Sequence, residues 1–306
     1  MDVLTTDRLS KRYKNRLAVD EVSMHIEKGD IYGFVGENGA GKTTVIRMIT
    51  GLAAPTKGTY ALNGVQCTDS SIYREKRKMG AIVEAASVSK NMTAMENLRL
   101  QCMLTGTTKT DAELKALLEL VGLQEEAIRN KKAGSFSLGM RQRLGLAIVM
   151  VSDAEFILLD EPMNGLDPQG FIDVREAILN LHEAGVTFLI SSHLLSELEK
   201  ICTKVGVISH GRLLEEISID ELHKKARKSI IITADPEAEV LKGISEVISV
   251  KDAEVEGDRT ILYDSIDINE LMRVLVDKGI TVRAINVVEE TIEDYYINLV
   301  GKGAAR

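Results

Sequence analysis

Short apolar runs separated by turn residues alternate with helical patterns along most of this chain. The runs have the length and β-branched content of strands, and those in the first third lie at about residues 4–9, 22–26, 31–35, 59–62 and 81–83. A helical pattern follows the third run and stops at Gly51, with Pro55 just beyond. This order predicts strands that lead into a helix within one α/β unit.

The pattern changes to helical spacing between about residues 93 and 151. Thr93 and Glu96 form a capping-box pair, and residues 111–120 are strongly amphipathic. Strand and helix patterns then alternate again, with strands at 156–159, 187–190 and 205–208 and helices at 168–183 and 194–202. Such alternation predicts a mostly parallel sheet with helices on both faces, interrupted by a helical insert at about 90–151.

A separate small α+β unit is predicted from about residue 229 to residue 306. Strands are expected at 230–233, 246–250, 260–263 and 281–287, and helices at 236–241, 268–278 and 291–299, the last capped by Thr291 and Asp294. No set of potential catalytic side chains stands out in it. We expect a regulatory or dimer-bracing module that follows a larger domain at residues 1–220.

Composition narrows the classes of partner. The net charge of −8 over 306 residues argues against a nucleic acid held on a basic face. Three cysteines, far apart and without a C-x-x-C pair, suit free thiols in a reducing cytoplasm. The longest apolar run, 144–151, is far shorter than the roughly 20 residues of a membrane-spanning helix. We therefore expect a cytoplasmic protein that reaches a membrane only through another chain.

A complete G-x-x-x-x-G-K-[ST] motif follows the strand at 31–35. Glycines let backbone amides wrap phosphate oxygens, Lys42 should reach the β- and γ-phosphates, and the Thr43 hydroxyl should ligate Mg²⁺. The predicted phosphate-binding residues are Gly36, Glu37, Asn38, Gly39, Ala40, Gly41, Lys42, Thr43 and Thr44. The alternative is an ordinary glycine-rich turn, which the flanking strand and helix disfavour. The motif predicts a nucleoside triphosphate site.

Two carboxylates end the strand at 156–159. Asp160 lies where metal and phosphates gather in open α/β sheets, so we expect it to hold Mg²⁺. Glu161, one residue further, can orient a water molecule towards the γ-phosphate and take its proton. The alternative is a helix N-cap with a charged first turn.

Together these motifs resemble the ATP-binding subunit of an ABC transporter over about residues 1–220. The resemblance implies a P-loop NTPase cassette with a mixed sheet core, an antiparallel β subdomain and a helical insert, followed here by the small C-terminal unit. It also implies that Tyr13 stacks on adenine, with Val19 as a second contact.

The family's signature sequence resembles residues 136–143. The resemblance implies that Ser137, Gly139 and Met140 bind the γ-phosphate held by a second copy, so that two chains enclose two ATP molecules. Leu138 and Met140 depart from the usual glycine and glutamine. Residues 164–167, ending in Asp167, resemble the loop that crosses this dimer, and His193 resembles the histidine that holds Glu161 and the water in line. The alternative for His193 is an ordinary surface residue.

Glu84 stands where the family normally has a glutamine that reaches Mg²⁺. A carboxylate oxygen can still ligate the metal, and it adds a negative charge. This substitution, residues 94–98, residues 136–143 and a segment like 293–296 resemble the subgroup that protects cells against bacitracin and lantibiotic peptides. The ATP-binding subunits of general multidrug transporters share most of these sequence features.

The predicted function is an ATPase that dimerises on ATP and drives a separate membrane permease, exporting a peptide or drug. Lys42, Glu161 and His193 would be catalytic, and Thr43, Asp160 and Glu84 would hold the metal. Two alternatives remain: a soluble ABC ATPase of DNA repair or translation, and a regulatory subunit that binds ATP with little hydrolysis. The single cassette and acidic charge disfavour the first, and the complete motif set disfavours the second.

Overall fold

Two compact units make up the chain in a computed structural model, Met1–Ile219 and a second unit that begins at Asp220. The described residues are 1–124, 130–225, 228–234, 240–248, 253–257, 259–263 and 266–289, with positions 250 and 299. The strands of the first unit are β1 Asp2–Tyr13, β2 Arg16–Val22, β3 His25–Glu27, β4 Ile31–Val35, β5 Lys57–Leu62, β6 Val65–Gln66, β7 Met79–Ile82, β8 Phe156–Asp160, β9 Thr187–Ser192, β10 Lys204–Ser209 and β11 Arg212–Ser218. Its helices are α1 Lys42–Thr50, α2 Ile72–Lys76, α3 Ala94–Thr105, α4 Asp111–Leu120, α5 Leu138–Met150, α6 Pro168–Glu183 and α7 Leu195–Leu198.

The main sheet of the first unit has six strands in the order β11-β10-β4-β9-β8-β7. All neighbours are parallel except the edge pair β10 and β11. Every residue of β4, β8 and β9 is buried, as expected for parallel strands covered on both faces. Register pairs Val35 with Ser192 and Asp160 with Ser191, so the carboxyl ends of β4, β8 and β9 meet at one edge.

A second sheet of the first unit is antiparallel. Its order is β2-β1-β5-β6, and β3 also pairs with β1. Leu4, Leu9 and Ile26 from this sheet share one apolar core with Phe34 and Ile46, which lie on β4 and α1. That shared core fixes the β1–β2 turn beside the segment that connects β4 to α1.

A group of helices forms the insert between β7 and β8. Capping boxes start α3 at Thr93 and α4 at Thr110, which satisfies amides that a helix start leaves unpaired. Both helices pack on α5, and α5 packs on α6.

The second unit is built around one four-stranded antiparallel sheet of order β13-β14-β12-β15. Its elements, with the helix that leads into it, are α8 Ile219–Lys225, β12 Lys228–Ala234, α9 Val240–Ser245, β13 Ala253–Glu256, β14 Arg259–Leu262, α10 Ile268–Asp277 and β15 Val282–Glu289. Ile232, Ile244, Leu262 and Leu271 from the sheet and both α9 and α10 share its core.

The predicted fold class, with its mixed sheet, antiparallel sheet and helical insert, is confirmed. The strand predicted at 246–250 is wrong, because residues 246–248 form a turn after α9. The helix predicted at 194–202 is only four residues long, and the strand predicted at 22–26 is the shorter β3. The strands β2, β6, β11 and β13 were not predicted. Residues 236–239 and the capped helix at 291–299 lie outside the described residues, apart from the isolated position 299.

Candidate active site

The loop between β4 and α1 holds its shape through two glycines that no other residue could replace. A Cβ on Gly36 would lie 2.3 Å from the carbonyl oxygen of Ile208. Gly41 has φ +115°, and a Cβ there would lie 2.7 Å from the carbonyl oxygen of Ala18. The loop therefore turns tightly against β10 and the β2 strand, and α1 starts directly after it at Lys42.

Lys42 is a buried cation, only 5% exposed. Its Nζ donates to the carbonyl oxygens of Gly36 and Glu37, the latter at 3.1 Å, and lies 3.2 Å from Oε1 of Glu161. A buried ammonium needs such oxygen partners. Phosphate oxygens have the same chemistry, so the loop and Lys42 together suit an anionic ligand.

Thr43 and Asp160 bring two hard oxygen donors together. The Thr43 hydroxyl donates to Oδ1 of Asp160 at 3.0 Å, and the Ser191 hydroxyl donates to the same oxygen at 2.7 Å. The described residues contain no cluster of three or more His, Cys, Asp or Glu side chains that could hold a metal. Mg²⁺ commonly takes one or two protein oxygens and completes its shell with phosphates and water, so Thr43 and Asp160 fit this metal.

Glu161 is held on both sides by basic groups. Its Oε2 lies 2.8 Å from Nδ1 of His193, and its Oε1 faces Lys42. The backbone of Glu161 is left-handed, with φ +50°, and its amide donates to the Ser191 hydroxyl at 3.0 Å. A left-handed glutamate is unfavourable by about 1–2 kcal/mol, so these contacts must maintain it. The carboxylate is thereby fixed where a reacting water could be activated.

A cavity of about 430 Å³ opens beside the loop. Its lining residues are Tyr13, Arg16, Ala18, Asn38, Gly39, Gly41, Lys42, Thr43, Thr44 and Glu161. The cavity therefore joins the predicted adenine residue Tyr13 to the predicted phosphate residues and to Glu161. Its size and mixed lining suit a nucleotide.

Tyr13 is 43% exposed, and Nζ of Lys11 lies 5.1 Å from the centre of its ring. Val19, the predicted second contact for the base, is instead fully buried in the core. Its neighbour Ala18 lines the cavity. We correct that assignment to Ala18: along an extended strand neighbouring side chains point to opposite faces.

The signature segment begins helix α5. Ser137 is its N-cap, exposed, and its hydroxyl accepts the amide of Met140 at 3.2 Å. Gly139 is buried, and a Cβ on it would lie 3.1 Å from Cα of Gly170 on α6. Asp167 caps α6 by accepting the amide of Gly170 at 3.2 Å. Ser137 and Asp167 do not line the cavity beside Lys42, so a single chain does not assemble them with it there.

Glu84 does not join Thr43 and Asp160 among the hydrogen bonds of the described residues. It follows β7 with a left-handed φ of +66°, and its carboxylate pairs with the guanidinium of Arg47 on α1. The side chains are 65% and 39% exposed.

The sequence did not predict four residues that lie in or near the site, which are Ser191, Arg16, Ala18 and Arg47. Ser191 is fully buried and bridges Asp160 to the amide of Glu161. A serine after an apolar strand carries no sequence signal of this role. Arg16 lines the cavity with Nη2 at 3.5 Å from the Gly39 carbonyl oxygen, and its only signal was its position just after Tyr13.

None of the helices in the described part of the chain is both long and apolar enough to cross a lipid bilayer.

Known proteins of one kind resemble this chain. Residues 19–164 match the family described as ABC transporter. The bacitracin transport ATP-binding protein BcrA of Bacillus licheniformis is 39% identical, and the alignment covers 98% of each chain. The lantibiotic transport ATP-binding protein SrtF of Streptococcus pyogenes is 37% identical over 71% of this chain and 92% of its own. The crystal structure of a nucleotide-free ATP-binding cassette from an ABC transporter matches with a TM-score of 0.64 and 24% identity, over 73% of this chain and 94% of its own.

Proposed function

The chain belongs to the ABC transporter family of ATP-binding proteins, and from that membership we propose that it hydrolyses ATP in a symmetric dimer to drive peptide export. As a member of the family it is an ATPase coupled to transport. One observation carries the proposed mechanism: the Glu161 carboxylate is held between Lys42 and His193 at the mouth of the phosphate loop.

The chain's own residues divide the chemistry. The loop amides and Lys42 would bind the β- and γ-phosphates, and Tyr13 and Ala18 would receive the base. Thr43 and Asp160 would hold Mg²⁺, with Glu84 as a further oxygen donor. When bound, this ion supplies positive charge beside the phosphate oxygens.

Glu161 would act as the general base. Water attacks the γ-phosphorus, the bond to the bridging oxygen of ADP breaks, and Glu161 receives the proton that the water loses. With its own proton on Nδ1, His193 donates to the Glu161 carboxylate at 2.8 Å and keeps it aimed. Ser191 would hold the Asp160 carboxylate and the backbone of Glu161, because its hydroxyl donates to Asp160 and accepts from the Glu161 amide.

A second copy would complete each site. Ser137 caps a helix start and is exposed, yet it lies outside the cavity of its own chain. Helix starts favour anions, so Ser137, Gly139 and Met140 suit the γ-phosphate bound by the partner. Asp167, at the start of α6, would lie at the same junction.

The membrane partner and the exported compound follow from the relatives. BcrA is a bacitracin transport protein and SrtF a lantibiotic transport protein. We propose a peptide antibiotic as the exported class, and an integral membrane permease as the chain that holds this subunit at the cytoplasmic face of the membrane.

Mixing two inactive variants tests the shared site. Lys42→Ala removes the phosphate contact, and Ser137→Arg blocks the signature end, so each homodimer should be inactive. A mixed dimer retains one intact site, built from Lys42 of one chain and Ser137 of the other. Equal mixing should therefore restore about a quarter of the wild-type phosphate release, as expected for random pairing in a two-fold dimer.

Ser135→Arg is the matched control, because Ser135 is exposed and lies two residues before the helix cap. It should keep its activity alone. A mixture of Lys42→Ala and Ser137→Arg that is no more active than its components would rule out the shared site.

A further inference from the structure

Helix α1 carries a second cation that holds a second glutamate. Lys42 at its start contacts Glu161, and Arg47, five residues later, pairs with Glu84. The two glutamates follow the adjacent parallel strands β8 and β7, whose register pairs Leu159 with Ile82. Both glutamates therefore leave the sheet at the same edge as the phosphate loop, which follows the parallel strand β4. Both have left-handed backbones, at φ +50° and +66°.

Arg47 and Glu84 lie on two elements that also carry predicted site residues, helix α1 and the carboxyl edge of the main sheet. Thr43 and Arg47 are four residues apart on α1, so their side chains leave the same face of the helix one turn apart. One turn is about 5.4 Å. A charge at that distance is well inside the screening length of about 8–10 Å at physiological salt.

The backbone that carries Glu84 is held against the helical insert. The segment after it packs on α5, where a Cβ on Gly145 would lie 2.6 Å from Cβ of Ala86. Glu84 also stands where the resemblance leads one to expect an uncharged glutamine. Its negative charge lies at the sheet edge that also carries the predicted phosphate site, and the charge of Arg47 compensates it there.

We propose that Arg47 is a positioning residue that neutralises Glu84 beside the bound triphosphate. Its guanidinium holds the carboxylate and cancels the charge that would otherwise repel phosphate. This inference rests on the proposed function, because the anion at risk is the nucleotide. The pair adds little to the stability of the fold, since ion pairs of this exposure contribute about 0–1 kcal/mol.

Binding of a fluorescent ATP analogue, measured in EDTA so that no metal contributes, tests the proposal. Arg47→Gln should weaken binding about three- to tenfold at low salt, because the charge of Glu84 then remains uncompensated at the edge of the sheet where the phosphates would bind. The loss should shrink at high salt. Glu84→Gln should bind at least as tightly as wild type, and the double variant should return to within about twofold of wild type.

A merely structural role for Arg47 predicts the opposite pattern, since Glu84→Gln could not then rescue Arg47→Gln. Failed rescue, or unchanged affinity in Arg47→Gln, overturns the proposal. Arg47→Lys keeps the charge and should bind within about twofold of wild type. Thermal unfolding shows whether Arg47→Gln is folded. If it is not, the affinity of Glu84→Gln alone tests the proposal, and weaker binding than in wild type overturns it.

Arg99→Gln is the matched control. Arg99 pairs with Asp111 at 2.7 Å, and the side chains are 50% and 64% exposed, close to the values for Arg47 and Glu84. Affinity should not change in this variant. A wild-type protein that binds no nucleotide would refute the proposed function itself, which this design separates from a failure of the Arg47 proposal.

Discussion

The edge of the main sheet that carries Lys42 and Asp160 buries charged side chains, whereas the core of the second unit buries apolar ones. At the edge, Lys42, Asp160 and Ser191 are 5%, 6% and 0% exposed. Lys42 pairs with Glu161, and the Ser191 hydroxyl donates to Asp160. The core of the second unit is apolar, and the buried polar residues described there are Ser229 and Thr260. One region buries charge for chemistry, and the other buries hydrocarbon for stability.

The two regions also differ in where the backbone takes left-handed conformations. Glu84 and Glu161 are left-handed at the sheet edge. In the described residues of the second unit, positive φ values occur only at Gly257 and Gly279, where they are nearly free of strain. All the described left-handed non-glycine residues lie in the first unit, and Glu84 and Glu161 are the two that follow neighbouring strands of the main sheet.

Neutralising Glu161 should produce the largest effect. Glu161→Gln should lower the rate of phosphate release about 10²- to 10⁴-fold, because no base remains for the water, while ATP binding is kept. The binding assay and the release assay should therefore separate, and the ATP-bound dimer should accumulate in gel filtration.

Glu155→Gln is the control for that experiment, since Glu155 is exposed and precedes the same strand, β8, at its opposite end. It should hydrolyse ATP normally. Near wild-type release by Glu161→Gln would remove Glu161 from the role of base.

Truncating a core residue of the second unit should be the next largest change. Leu271 on α10 is fully buried, so Leu271→Ala should lower the free energy of unfolding of this unit by about 2–5 kcal/mol. Nucleotide affinity should stay within about twofold, because no residue of this unit lines the described cavity. Denaturant titration and nucleotide binding measure the two quantities.

Met272→Ala provides the comparison, because Met272 is the adjacent residue and is 44% exposed. Its effect on unfolding should be within about 0.5 kcal/mol. A loss of nucleotide affinity in Leu271→Ala would mean that the two regions are coupled.

Removing the Ser191 hydroxyl should have the smallest of the three effects. Ser191→Ala leaves the Glu161 amide with one acceptor fewer and Asp160 with one donor fewer. We expect a loss of about 1–3 kcal/mol in the free energy of unfolding, together with slower hydrolysis. Ser192→Ala, whose hydroxyl accepts only the Leu194 amide in the hydrogen bonds described, should slow hydrolysis less. Equal rates in both variants would contradict the bridging role.

Sequence alone predicted the parts of the site whose chemistry is local. The loop from Gly36 to Thr43 is specified by steric limits within a few residues, and buried strands such as β8 are recognised from their own apolar runs. Ser191 and Asp160 are 31 residues apart, and Arg47 and Glu84 are 37 apart. Such pairings depend on the order of strands in the sheet, which local patterns do not encode.

The missed and mistaken elements have a related cause. The residues of β11 are mostly half-buried, so this edge strand lacks the alternation that marks a strand with one face in water. The apolar residues at 247, 248 and 250 were read as a strand, although residues 246–248 turn away from α9. Short apolar runs are ambiguous until their partners are known.

The approach of Gly139 to Gly170 limits how this protein can evolve. The two helices touch through backbone atoms at these glycines, so no side chain there can change rotamer to absorb a shift. A single mutation at either position therefore cannot change the angle between α5 and α6 gradually. Divergence of this helix pair must instead proceed through its periphery, where Leu138 is already 38% exposed. Directed evolution of subunits that pair only with a chosen partner should accordingly begin there and leave both glycines untouched.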